Sequence, residues 1–91
     1  MALTKETVVD KIEVLEMGQV QVRTATRVKE DGAVLSSSFH RHVVEPSTKA
    51  SGSWADTDIS GEDARVQAVA NATWTSDVKT AYQEMVDAQE L

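Results

Sequence analysis

The sequence predicts an α+β protein: a three-stranded antiparallel β-meander followed by one or two C-terminal α-helices. Two observations carry this. The spacing of apolar residues changes once, near residue 60, from a period of about two to the i, i+3, i+4 pattern of a helix. An Asp31-Gly32 pair also separates two long alternating segments. Such a pair marks a hairpin, because its tight turn needs positive φ and glycine supplies it without Cβ strain.

Each element follows from its residues. The first strand is expected over about 7–16. Val8 to Leu15 is rich in β-branched residues, with Ile12 and Val14 on one face and Lys11 and Glu13 on the other. Met17-Gly18 offers a turn. The second strand, about 19–28, alternates most regularly: Val20, Val22, Thr24, Thr26 and Val28 share one face, and Gln19, Gln21, Arg23, Ala25 and Arg27 the other. This predicts one buried and one wet face. The third strand, about 33–44, carries Ala33, Leu35, Phe39 and Val43 on its apolar face. Ser37 and Arg41 interrupt that face, which points to a bulge or an edge position. Pro46 ends the strand, since proline cannot donate to a ladder.

Residues 45–59 are small and polar and are expected to form a loop, with Trp54 docking either on the parent sheet or on another chain. Ser60 is positioned to cap a helix over about 61–73, with Glu62 and Asp63 in its first turn. Val66, Val69, Ala70, Thr73 and Trp74 form its stripe. Thr75-Ser76-Asp77 resembles a second cap, so a second helix is expected over about 76–89, carrying Val78, Ala81, Tyr82, Met85 and Val86. The rival is one helix of about 28 residues. The break is preferred because Thr73 to Asp77 is a run of poor helix formers with good capping chemistry.

Ninety-one residues make one small domain, 1–91. A chain of this size buries only about 60–65 % of its unfolded surface. Its aromatic residues are Phe39, Trp54, Trp74 and Tyr82, so the core must be mostly aliphatic. There are no cysteines, which excludes disulfides, Cys-ligated zinc and thiol catalysis. Stability is therefore expected to come in part from neighbouring subunits.

The net charge of −6 is uneven: residues 1–45 hold six Lys/Arg against seven acids (−1), and residues 46–91 hold three against eight (−5). An acidic chain of this kind is not expected to bind nucleic acid, whose affinity depends on neutralising phosphates. No apolar run reaches 18 residues, so no membrane span is predicted. The N-terminus has no basic stretch followed by an apolar one, so no signal peptide is expected, and synthesis is placed in the cytoplasm.

Candidate chemistry is sparse. His40 and His42 point to one face of a strand and form half of a possible metal site; the alternative is a wet face with local hydrogen bonds. Neither is paired with an acid by a recognisable pattern. Asp56-Thr57-Asp58-Ile59-Ser60-Gly61 matches the first half of a calcium loop, but the twelfth position is Gln67 instead of a bidentate Glu. Two readings remain: Asp56, Asp58 and Glu62 as ligands of a hard cation, or, preferred, Asp58 and Ser60 as turn and cap residues. No nucleophile elbow or phosphate-cradling glycine loop is present. No cofactor is expected. Trp54, Phe39, Trp74, Tyr82 and Met85 are the interface candidates, being of the types enriched at interface centres; for Trp74 and Tyr82 the competing role is filling the core.

Three stretches resemble small structural proteins of tailed bacteriophages: Gln21-Val22-Arg23-Thr24-Ala25-Thr26, Ser38-Phe39-His40-Arg41-His42-Val43, and Asp58-Ile59-Ser60-Gly61-Glu62-Asp63 with Val66-Gln67-Ala68 and Trp74-Thr75 after it. The resemblance covers roughly residues 8–82 and implies a noncatalytic virion component encoded among tail, baseplate or fibre genes. Its partners would be other virion structural proteins, in an oligomer or larger assembly, and its location the virion after synthesis in the host cytoplasm. It implies no site residues. The rival expectations are a small acidic inhibitor of a host protein, of the DNA-mimic type, and a metal-dependent enzyme using His40 and His42.

Overall fold

The computed structural model describes residues 2–89. β1 (Leu3–Val14), β2 (Val20–Glu30) and β3 (Ala33–Val44) form an antiparallel meander in the order β1-β2-β3. Two helices, α1 (Ala64–Thr73) and α2 (Ser76–Gln89), are the last elements among the described residues. The fold is therefore α+β as the apolar periods predict. Asp31 (φ 50°) and Gly32 (φ 87°) make the β2–β3 turn, both left-handed as that turn requires. β1 starts earlier than expected, at Leu3. Its polar opening pairs with the far end of β2, Thr4 opposite Lys29 and Glu6 opposite Arg27.

Residues 45–59 are not simply a loop. They contain a second hairpin, β4 (Ser47–Ala50) and β5 (Ser53–Asp56), turned by Ser51 (φ 53°) and Gly52 (φ 80°). Strands of only four residues, Ser-Thr-Lys-Ala and Ser-Trp-Ala-Asp, carry no apolar alternation, so sequence pattern does not reveal them.

The helical break falls where the capping residues put it. The Trp74 amide bonds to the Ala70 carbonyl at 2.8 Å to close α1, and Thr75 Oγ1 accepts from the Val78 amide to open α2. The cap of α1 differs from expectation. Asp63, not Ser60, is its N-cap, with Oδ1 accepting from the Arg65 amide at 2.8 Å. Ser60 instead closes a turn in which Asp58 Oδ1 accepts from its amide.

The core lies at one end of the sheet. Val20, Val22 and Val44 from the strands meet Val66, Ala70 and Trp74 from α1 and its C-cap, with Ile12, Ile59 and Val78 packed around them. The Trp74 indole N–H donates to the Gly18 carbonyl at 2.7 Å, tying the helical break to the β1–β2 turn. Beyond this end the strands run on without a cover. The molecule measures 57 × 26 × 23 Å, and β3 is exposed from Ala33 to Arg41.

Two face assignments need correction. Ala25, expected on the wet face, is fully buried, because Phe39 lies directly opposite it and the Arg23 guanidinium lies over Phe39. Thr24, Thr26 and Val28, expected in the core, are only half-buried because the helices do not reach them. β3 is both an edge strand and bulged. Val28 pairs with Ser36 and Lys29 with Val34, leaving Leu35 as the extra residue. Its core-facing residues are His40, His42 and Val44, in register with Thr24, Val22 and Val20. Phe39 and Val43 point to the opposite face and are about half exposed, at 49 % and 53 %.

Candidate assembly surface

The face of the sheet away from the helices is a surface of charges and exposed apolar groups. The irregularity in β1 between Val9 and Lys11 falls at Asp10, whose carboxylate takes a two-point grip from Arg23, Nε and Nη2 each at 2.9 Å. Arg27 bonds Glu6 at 3.2 Å, and Lys29 reaches the same carboxylate at 3.3 Å. These cations hold both carboxyls below the usual carboxylate range. For Asp10 the Arg23 hydrogen bond dominates, and for Glu6 that of Lys29. Arg23, held in this way, stacks its guanidinium 4.5 Å from the Phe39 ring centre, with Arg41 at 6.0 Å. Beside this stack lies an open cleft of about 170 Å³ lined by Lys11, Glu13, Gln21, Arg23, Arg41 and Val43 among others.

The other candidates divide between core and surface. Trp74 and Tyr82 are buried, at 9 % and 5 % exposure, and serve the core. Trp54 docks on the chain's own second helix. Its ring meets Tyr82 edge-on at 6.1 Å, Lys49 Nζ stands 5.5 Å from its centre, and its indole N–H donates to Asp87 at 3.3 Å. Lys49 reaches the same carboxylate at 2.9 Å, and Asp87 is held below the usual range, Lys49 first and Trp54 second. Met85 is half-buried on α2. Only Phe39, of the interface candidates, is offered outward by the sheet.

Burial pushes the Tyr82 phenol up to about 12, helped by hydrogen bonding to and the charge of Glu45. The folded state thus holds the phenol neutral above pH 10, where an unfolded chain would ionise it. Its stabilisation is complete below pH 10 and is lost between pH 10 and 12, roughly 2–3 kcal/mol in all. Chemical denaturation at pH 9 and 11.5 should show this loss, and Tyr82→Phe should flatten that part of the curve.

His40 and His42 stack with ring centres 6.2 Å apart. His42 is paired with an acid that no sequence pattern ties to it: its Nε2 lies 2.7 Å from Glu62 Oε1, joining β3 to the turn before α1. Twenty residues separate the two, and no spacing rule links them. Asp56 accepts from Lys79 Nζ at 3.0 Å, and Asp58 turns back on Ser60, whose amide holds its carboxyl below the usual range. These acids are not gathered into one site. Among the described residues no group of three or more His, Cys, Asp or Glu stands close enough to hold a metal ion. Among the described residues no helix is long and apolar enough to cross a membrane.

No family model, no curated protein and no solved structure matches the chain.

Proposed function

We propose that the chain is a noncatalytic structural subunit of a tailed-phage particle, an adaptor in the tail, baseplate or fibre-attachment region. The observation that supports this most directly is the sheet that outruns its cover. An edge strand of twelve residues projects from a small core and carries Phe39, Val34, Leu35 and Val43 half exposed or more. Large apolar side chains grouped on an open strand suit contact with other subunits better than contact with water.

The charges fit the same role. Arg23, Arg27 and Lys29 are fixed by Asp10 and Glu6, which gives the outer face a set pattern instead of a mobile one. The acids that a DNA mimic would gather on one face are divided between the sheet, the β4–β5 hairpin and the helices, so the adaptor reading is preferred to that one. The partners are then other virion proteins, and the location is the assembled particle.

Mass spectrometry of gradient-purified particles from infected cells tests the proposal. Its expected result is recovery of the chain's peptides at a fixed ratio to the major tail proteins. A chain abundant in infected cells but absent from purified particles would overturn it.

A further inference from the structure

The two edges of the sheet are treated differently. On β1 the edge is guarded. Arg65 donates from its guanidinium to the Val9 carbonyl, the strand is irregular at Asp10, and Lys5, Glu6, Lys11 and Glu13 line it with charge. β3 has no such guard past its bulge at Leu35. From Ser36 to His42 it pairs regularly with β2 on one side, and among the described residues no backbone hydrogen bond reaches it from the other. It holds no carboxylate, and Arg41 is its only Lys or Arg.

We propose that β3 pairs antiparallel with β3 of a second copy of this chain, about a two-fold axis through Phe39, making one continuous six-stranded sheet. This rests on the reading of β3 as an assembly surface and names its partner. Three observations select a second copy. The strand is self-complementary in this register. Phe39 faces the partner's Phe39, Ser37 faces the partner's Arg41, Ser38 faces the partner's His40, and Leu35 and Val43 meet at the ends, so apolar meets apolar and no like charges are opposed. The chain has a net charge of −6, yet the joined segments are free of acids, so two acidic molecules meet where neither is acidic. The helices cover only the Val20–Val44 end, so antiparallel pairing places the two helical covers at opposite ends of the joined sheet, where they do not collide.

The absence of cysteine in the chain makes the test direct. Sedimentation of the unmodified protein should show a dimer. Phe39→Lys, which sets like charges directly opposite each other at an exposed position, should weaken it at least tenfold with an unchanged circular dichroism spectrum. Under mild oxidation Phe39→Cys should cross-link to its copy, because facing Cβ atoms lie about 4.5–5.5 Å apart. Ser37→Cys should not, because four strand residues, about 13 Å, separate it from its copy. A monomer at all concentrations, a dimer indifferent to Phe39→Lys, or equal cross-linking at positions 37 and 39 would each overturn the pairing. A monomer still recovered from purified particles would overturn the pairing alone and leave the adaptor role standing. A dimer absent from particles would do the reverse.

Discussion

Replacing Trp74 by alanine is expected to remove about 3–5 kcal/mol of stability, a large share of the roughly 5–14 kcal/mol that a chain of this size holds. The side chain fills the contact between the helical break and the sheet, beside Val20, Val22 and Val66. Its loss leaves a cavity that an aliphatic core of valines and alanines is too small to close. It also strips the Gly18 carbonyl of its donor in a buried setting. Trp74→Phe weights the two effects differently, since it keeps most of the volume but loses the hydrogen bond entirely. Urea denaturation should place Trp74→Phe between the unmodified protein and Trp74→Ala. An alanine variant as stable as the original would show that the core lies elsewhere.

Gly18→Ala is expected to cost about 2–4 kcal/mol, an unusually large effect for one added methyl group. Gly18 has φ +90°, where a side chain is strained by about 1–2 kcal/mol. A Cβ there would also lie 2.5 Å from Val78 Cγ1 and 3.1 Å from Pro46 Cγ, so those side chains, packed from α2 and from the segment after β3, would have to give way. Gly32→Ala is the control, because Gly32 has φ +87° but nothing within 4 Å of the added atom. The difference between the two variants in thermal melting isolates the steric part. Equal losses would mean that backbone strain alone matters at Gly18.

Much of the architecture was legible because long elements repeat their pattern. β2 alternates over ten residues, and Thr73 to Asp77 both fails as helix and succeeds as cap, so the meander and the helical break could be read directly. The β4–β5 hairpin could not, because its strands are too short and polar to show a period. The apolar residues of β3 misled for a different reason. Phe39 and Val43 look like core because they are apolar, yet the side of β3 that faces the helices carries His40, His42 and Val44. Which face of an edge strand is covered depends on where the helices land, and the helices reach only one end. The pairings of His42 with Glu62 and Trp54 with Asp87 span 20 and 33 residues and arise only once the helices are placed. Phe39 was legible as a residue type, but not the Arg23 stack that holds it, because the geometry depends on an irregularity in β1.

The one-ended placement of the core gives the three long strands a gradient of local opening. Near Val20 and Val44 a backbone amide is released only when the whole fold comes apart, since helices lie over it. Near Glu30 and Ala33 it needs only the parting of a few cross-strand bonds. The hairpin tip can thus breathe and re-form while the head stays intact, so the outermost part of the sheet can adjust to a surface it meets without the rest of the protein unfolding.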